Sequence, residues 1–260
     1  MTPEAPVAGD QYVQSLARGL SVITAFDHDH AEMTLSEVAT RTDLSRATTR
    51  RFLLTLVELG FVRTDGRTFA LTPQVLRLGT AYLSGLGLPQ IAQPHLERLS
   101  AAVGESTSAA VLDGTDIVYV ARVATRRIMS VGITVGTRFP AYATSMGRVL
   151  LASLPPDELE ARLAATELRS LTPRTLHEVG ALRDEIARVR DQGWALVDQE
   201  LEDGLRSVAA PVVGRAGTVV SALNVSAPST ATADDLVSRT LELLLDAARA
   251  VGADVRAVDR

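Results

Sequence analysis

The sequence predicts an α+β protein with an N-terminal winged helix-turn-helix, a linker helix and a C-terminal α/β domain whose sheet is mainly antiparallel. Three observations support this fold class. The hydrophobic period changes near residue 61 from that of a helix to that of a strand, a Gly- and Pro-containing joint lies at 85–89, and strands alternate with helices beyond it. We therefore expect domains at 1–72 and 89–260, connected by a linker helix at 73–88.

The first domain has the element order helix, short helix, turn, longer helix, hairpin. Apolar residues at helical spacing predict a first helix that ends near Phe26. A capping box, Thr34 to Glu37, begins the second helix. The third helix is expected from Ser45 to about Leu59, and Gly60 fits the position directly after a helix C-terminus. Asp65-Gly66 predicts a two-stranded hairpin, so the order is that of a winged helix-turn-helix.

Polar and basic residues crowd the first half of the third helix. A recognition helix presents such residues to base edges in the major groove. A solvated helix face is the alternative, but the charged hairpin that follows favours DNA. We expect base contacts from Arg46, Thr48, Thr49 and Arg50 beside Ser45, phosphate contacts from Arg51, Arg63 and Arg67, and a buried stripe of Ala47, Phe52, Leu53, Leu56 and Val57.

The charge distribution agrees with a small DNA-contact surface. The formal net charge is -5, which by itself disfavours a nucleic-acid partner. Residues 41–67, however, carry six arginines against three acids, a local net charge of +3. Local potential governs phosphate contact, so the overall negative charge does not exclude DNA.

The second domain begins after a linker helix that Thr72-Pro73 would start, as N-cap and first helical residue. Periodicity predicts helices at 90–103, 144–153, 156–164, 176–192 and 233–251, and strands at 106–112, 117–123, 129–133, 195–197, 207–213 and 218–225.

The residue types exclude several kinds of chemistry. The absence of Cys excludes thiolate zinc sites and a cysteine nucleophile, and the absence of Lys excludes Schiff-base chemistry. Ser145 lies in a strand-to-helix context but lacks the G-x-S-x-G elbow. We expect no catalytic site, no metal and no cofactor. The alternative is an enzyme acting on a small carboxylic acid, with Ser145 essential and the N-terminal helices as an oligomerisation module.

Several polar stretches have both a structural and a functional interpretation. The Asp27–His30 stretch and the acids Glu200, Glu202 and Asp203 are expected to be solvated loops. Backbone N–H groups at 143–147 could bind a carboxylate. Asn224 and Ser226 share one strand face, and with Ser207 they are either satisfied core groups or ligand contacts.

No segment resembles a signal peptide or a stretch of about 18 apolar residues. We therefore expect a soluble, cytoplasmic protein with no membrane partner.

Over nearly its whole length the chain resembles IclR-type transcriptional regulators. The resemblance is carried by TLSEVATRTDLSRATTRRFLLTLVELGFV, LTPQVLRLGTAYL, VGTRFPAYATSMGRVLLASLP, GWALVDQELEDGLRSVAAPV and VVSALNVSAP. The opening QYVQSLARGL is similar to the branch that controls protocatechuate, 4-hydroxybenzoate and β-ketoadipate catabolism.

The resemblance implies a GAF-like effector domain, double-stranded operator DNA, and a homodimer or dimer of dimers. It also implies a small organic acid effector, aromatic or like β-ketoadipate, whose contacts would be Ser145, Met146, Gly147, Asp198, Ser207, Asn224 and Ser226. The chain departs from the family pattern at Tyr142 (usually His), Arg148 (usually Lys) and Val197-Asp198 (usually two acids). The spacing of the residues does not indicate which arginine would bind the effector carboxylate; the candidates are Arg122, Arg126, Arg127 and Arg138.

Overall fold

The structure is a computed structural model that describes residues 12–27, 29–78, 87–125, 133–230 and 232–258. The chain divides into two compact units, Met1–Tyr82 and Leu83–Arg260. Half of the expected linker helix, 79–86, lies outside the described residues, and its described part contains a short 3-10 turn at Pro73–Val75 that the Thr72 side chain caps. The expected domain boundaries therefore stay a prediction.

The described part of the first unit contains three helices and a three-stranded antiparallel sheet. The helices are α1 (Gln14–Thr24), α2 (Leu35–Thr42) and α3 (Arg46–Glu58), and the strands are β1 (Glu32–Thr34), β2 (Val62–Thr64) and β3 (Thr68–Leu71). β3 lies between β1 and β2. The predicted helices and hairpin are confirmed. β1 escapes sequence analysis because three residues are too few to show a strand period.

The capping box holds the start of α2 in place. The Thr34 hydroxyl accepts a hydrogen bond from the Glu37 N–H at 3.4 Å, and the Glu37 carboxylate accepts one from the Thr34 N–H at 2.7 Å. The Thr34 N–H and the Thr34 hydroxyl both donate to the Glu37 carboxylate, and these two hydrogen bonds lower the pKa of Glu37. Directly before the cap, Met33 is 1% exposed and packs with Val38 and Leu53 in the core of this unit. Cap and core together fix α2 against α3.

The second unit is built on a six-stranded sheet with the order β6-β5-β4-β9-β8-β7, in which each neighbouring pair is antiparallel. Its strands are β4 (Ser106–Asp113), β5 (Asp116–Val123), β6 (Arg138–Pro140), β7 (Ala195–Asp198), β8 (Leu205–Val213) and β9 (Val219–Pro228). Its helices are α4 (Leu88–Val103), α5 (Ser145–Ala152), α6 (Pro156–Ala165), α7 (Val179–Gln192) and α8 (Ala233–Val258).

This architecture confirms the predicted antiparallel α/β domain. One expected strand, 129–133, lies outside the described residues apart from Ile133, which is not in a strand. The structure also contains the edge strand β6, which the sequence does not predict because three residues are too few to show a strand period.

The sheet has a separate hydrophobic core on each face. Helices α4 and α8 cover one face, where Leu96 and Leu244 pack against Val208 and Leu223. Helices α5, α6 and α7 cover the other face, where Ile186 is one of the buried side chains. Successive strand residues point to opposite faces, so Asn224, between Leu223 and Val225, faces the second layer. Within the described ranges, no helix is long and apolar enough to cross a membrane.

Candidate functional site: a basic helix and a ligand cavity

The outer face of α3 exposes three arginines. Ser45 caps the helix, because its hydroxyl accepts a hydrogen bond from the Thr48 N–H at 3.2 Å. Beyond this cap, Arg46, Arg50 and Arg51 are exposed, and none of them forms an ion pair with another described residue. Three guanidinium groups in the first two turns of a rigidly capped helix can bind base edges or phosphates.

Thr49 corrects the expected set of base contacts. It is fully buried, and its hydroxyl donates to the Ser45 backbone oxygen at 3.0 Å. Ala47, expected in the buried stripe, is exposed instead. The buried stripe of α3 therefore runs through Thr49, Leu53 and Leu56, and a base contact by Thr49 is wrong because its side chain faces the core.

The hairpin places its two arginines differently. The Asp65 carboxylate accepts hydrogen bonds from the N–H groups of Arg67 and Thr68 at 2.9 and 2.7 Å, which lowers the pKa of Asp65. The tip is therefore ordered, and Arg67 is exposed on it. Arg63 is held by Glu32 of β1 at 2.5 Å. A phosphate contact by Arg63 would have to compete with that carboxylate.

A cavity lies on the sheet face that α5 covers, and we call it the sheet cavity. Its volume is about 20 Å³, room for about one water molecule. Its lining combines apolar side chains with a few polar ones, as ligand sites do. The lining residues are Tyr119, Ile133, Ala143, Thr144, Val197, Leu201, Leu205, Ser207, Asn224 and Ser226.

Asn224 gives the sheet cavity an unused acceptor. Its side chain is 3% exposed, and its amide nitrogen donates to the Ser226 hydroxyl at 2.9 Å. Its amide oxygen is buried and has no hydrogen-bond partner among the described residues. Buried polar atoms are normally paired, so this oxygen is placed for a ligand or a water. Of the two interpretations of Asn224, a satisfied core group and a ligand contact, the orphan oxygen favours the second.

The Ser145 hydroxyl is hydrogen-bonded to a strand of the sheet and, among the described residues, to no base. Its hydroxyl lies 2.8 Å from the hydroxyl of Ser207, and both side chains are buried. Neither described histidine of the second unit bonds to it, because His95 pairs with Asp254 and His177 with the backbone oxygen of Thr175. Within the described residues, Ser145 therefore lacks the neighbour that would activate a nucleophile.

Four residues that the resemblance assigns to the effector, Ser145 and the three described next, are not among those that line the sheet cavity. Met146 is 1% exposed and belongs to the core beneath α5. Gly147 faces the backbone of Ala141, where a Cβ would lie 2.1 Å from the carbonyl oxygen. Asp198 follows the lining residue Val197 on β7, so its side chain points to the opposite face, where it pairs with Arg206 at 2.8 Å.

A buried ion pair joins α5 to the segment that follows β7, and it corrects the expected solvated acidic loop at Glu200. Arg148 is 1% exposed, and its two terminal nitrogens bond the Glu200 carboxylate at 2.8 and 2.5 Å. Glu185 adds a second carboxylate 3.7 Å from Arg148. Glu200 also accepts a hydrogen bond from the Leu176 N–H. Glu200 precedes the lining residue Leu201, and Arg148 lies four residues after the lining residue Thr144, so the pair links two segments that carry lining residues.

Of the four candidate arginines, Arg138 has its own carboxylates, Asp113 and Asp116, at 2.6 and 3.3 Å. Arg126 and Arg127 lie outside the described residues. Arg122 is half-buried on β5, and its Nη1 donates to the Ser108 hydroxyl at 3.2 Å. Burial lowers the pKa of Arg122, and no carboxylate among the described residues pairs with it.

The Asp27–His30 loop is ordered by an arginine. Asp27 accepts hydrogen bonds from Arg41 at 2.5 Å and from the His30 ring at 2.8 Å, contacts that lower its pKa. His28 lies outside the described residues. No group of three His, Asp or Glu side chains in the described ranges could hold a metal ion.

Comparison with known families matches both units. Residues 15–66 match the IclR helix-turn-helix domain, and residues 80–253 match the C-terminal domain of bacterial IclR transcriptional regulators. The chain is 47% identical over 240 residues to the Pca regulon regulatory protein of Pseudomonas putida, covering 92% of this chain and 82% of that protein. It is 36% identical over 220 residues to the p-hydroxybenzoate hydroxylase transcriptional activator of Acinetobacter baylyi, covering 83% and 81%.

Comparison with solved structures supports the same family. A transcriptional regulator from Rhodococcus sp. RHA1 superposes with a TM-score of 0.84 at 56% identity, covering 95% of this chain and all of that one. An IclR homologue from Microbacterium hydrocarbonoxydans, crystallised with 4-hydroxybenzoate, has a TM-score of 0.81 at 29% identity, covering 94% and 99%. The chain belongs to the IclR family of bacterial transcriptional regulators.

Proposed function

We propose that this regulator controls genes of aromatic-acid catabolism of the β-ketoadipate type, and that a small organic acid is its effector. It would bind double-stranded operator DNA in the cytoplasm through α3 and the hairpin. The observation that supports DNA binding is the row of exposed arginines on α3, which form no ion pair with another described residue and whose helix is fixed in the core by its opposite face. The named pathways of the Pseudomonas and Acinetobacter relatives support the effector class.

The effector would occupy the sheet cavity. A volume of about 20 Å³ holds a water but not an aromatic acid, so binding has to move the cavity walls apart. Effector occupancy and the shape of the second unit are then coupled, which is what ligand control of DNA affinity requires. We expect the regulator to act as a homodimer or dimer of dimers, with its recognition helices on half-sites about one helical turn apart.

Replacing Arg50 with alanine is expected to weaken operator binding about 5- to 150-fold, the equivalent of about 1–3 kcal/mol for a lost base contact. The loss should be concentrated at one operator position, because a base contact carries sequence information and a phosphate contact does not. Fluorescence anisotropy with labelled operator variants measures both effects.

The matched control is Thr49→Val, one position away on the same helix. Thr49 is buried and its hydroxyl bonds only the helix backbone at Ser45, so Thr49→Val should leave DNA affinity within about twofold of the original. Operator binding unchanged by Arg50→Ala, or lost to the same degree in Thr49→Val, would exclude Arg50 as a base-reading residue.

The second candidate function is an enzyme that acts on the same small acid, for which Ser145 would be essential. Ser145 is the first residue of α5, next to the lining residue Thr144, but its hydroxyl bonds Ser207 and, among the described residues, no base. Calorimetry separates the two functions. A regulator binds the acid stoichiometrically and returns it unchanged, whereas an enzyme releases product and loses turnover in Ser145→Ala.

A further inference from the structure

Three polar side chains form a row across the middle of the sheet, on the face of the sheet cavity. Ser108 on β4 lies directly opposite Arg122 on β5 in the strand register, and directly opposite Asn224 on β9. Directly opposed residues have Cβ atoms about 5 Å apart. The row therefore brings a guanidinium group, a hydroxyl and an amide to adjacent positions in one layer of the sheet.

Arg122 supplies an uncompensated positive charge to this row. Its Nη1 is hydrogen-bonded to Ser108, but its buried Nε has no acceptor among the described residues. Burial lowers its pKa, and the opposing electrostatic effect comes from Tyr119, a phenol of the cavity lining, and not from a carboxylate. The segment 126–132, which the structure does not describe, contains no Asp or Glu. A partly buried cation without an anion is costly, so an anion from outside the chain fits here.

Asn224 supplies the complementary polar group. Its amide nitrogen is engaged by Ser226, which leaves the amide oxygen as an acceptor that only a donor can satisfy. Tyr119 is buried at the same cavity, and burial raises its pKa to about 12, so it stays a neutral phenol. The lining of the same cavity also includes apolar side chains, among them Val197 and Leu205. A ligand complementary to this site therefore has an anionic group, an apolar body and a hydrogen-bond donor.

We propose that Arg122 binds the carboxylate of the effector and that the Asn224 amide oxygen accepts a hydrogen bond from a hydroxyl group of the same molecule. The inference rests on the proposed function, since it concerns the effector of that same cavity. It narrows the effector to hydroxylated carboxylic acids. A guanidinium group holds a carboxylate through two parallel, charge-assisted hydrogen bonds.

The rival carboxylate site is the N-terminus of α5, whose free N–H groups also attract anions. One of them is already used, because the Gly147 N–H donates to the Thr144 hydroxyl at 3.1 Å. The α5 N-terminus carries only partial charge, whereas Arg122 carries a full one with an unused donor. These two sites predict opposite results for an Arg122 variant.

The test is calorimetric titration of the full-length protein with three probes: 4-hydroxybenzoate, the neutral 4-hydroxybenzamide, and 4-methylbenzoate, which lacks the hydroxyl. We expect the original protein to favour 4-hydroxybenzoate over the amide by about tenfold or more. Arg122→Met should abolish that preference, and Asn224→Leu should abolish only the preference for hydroxyl over methyl. The matched control is Arg138→Met, an exposed arginine satisfied by Asp113 and Asp116, which should bind all three probes like the original.

Arg122→Lys covers the case in which Arg122→Met does not fold. It keeps the charge but not the two-pronged geometry, so it should keep the preference for acid over amide at reduced affinity. If the original protein binds none of the probes, the proposed aromatic effector fails and this inference with it. If it binds 4-hydroxybenzoate and an Arg122 variant keeps the original affinity for it, the effector stands and Arg122 is not its anchor.

Discussion

Replacing Arg148 with methionine is expected to lower the free energy of unfolding of the second unit by about 3–5 kcal/mol. The change would leave the buried Glu200 carboxylate and the nearby Glu185 without their shared cation. The backbone oxygen of Tyr142 would also lose a donor, because it accepts a hydrogen bond from Arg148 Nε at 3.0 Å. Removing one partner of a buried pair costs more than the pair contributes, since the remaining charge stays desolvated.

Urea denaturation followed by circular dichroism measures this loss. The double variant Arg148→Met/Glu200→Gln should recover part of it, because glutamine is neutral and can still accept the hydrogen bond from Leu176. The exposed pair Arg183–Glu160 offers a control, for which Arg183→Met should cost less than about 1 kcal/mol. Equal, small losses at both arginines would contradict a structural role for the buried pair.

Replacing Gly147 with alanine is expected to destabilise the second unit by about 3 kcal/mol or more. A Cβ at this position would lie 2.1 Å from the Ala141 carbonyl oxygen and 2.4 Å from its Cα. These are backbone atoms of the 3-10 turn Ala141–Ala143, so no side-chain rotation relieves the clash. The turn and α5 must move apart, and both carry the cavity wall at Ala143 and Thr144.

The matched control is Gly180→Ala in α7, where a Cβ meets no atom within 4 Å. Alanine there should stabilise the protein by about 0.5–1 kcal/mol, because it restricts the unfolded chain and favours the helix. Thermal melting of the two variants should therefore shift in opposite directions. A Gly147→Ala protein that melts within about 1 °C of the original would show that the turn can be repacked at little cost.

Local patterns in the sequence were sufficient to predict most of the fold. The capping box at Thr34 begins α2, the Asp65-Gly66 turn joins two strands, and helical periodicity places α4 and α8. Each of these signals acts within about one helical turn or one hairpin, so a single sequence carries it. β1 and β6 each have only three residues, which is too short for such a signal.

The candidate site could not be predicted in full from the sequence, because it depends on contacts between segments that are distant along the chain. Arg148 and Glu200 are 52 positions apart, and no spacing rule pairs residues at that distance. Thr49 was buried against expectation because its hydroxyl bonds the helix backbone, which removes the cost of burial. The assignment of Asp198 to the effector could have been rejected from strand alternation alone. If Val197 faces the cavity, its neighbour Asp198 must face the opposite side of the sheet. Arg122 became distinct from the other arginines only when the strand register placed it beside Ser108 and Asn224.

DNase I footprinting on the DNA upstream of the genes that neighbour the regulator's own gene tests ligand-responsive DNA binding most directly. The full-length protein should protect a site containing two half-sites about one helical turn apart, in competition with non-specific DNA at a stated salt concentration. Adding 4-hydroxybenzoate, protocatechuate or β-ketoadipate should change the affinity for that site about tenfold, the equivalent of about 1.4 kcal/mol of coupling. Protection that none of the three acids changes, or no protection beyond that of non-specific DNA, would contradict an acid-responsive regulator.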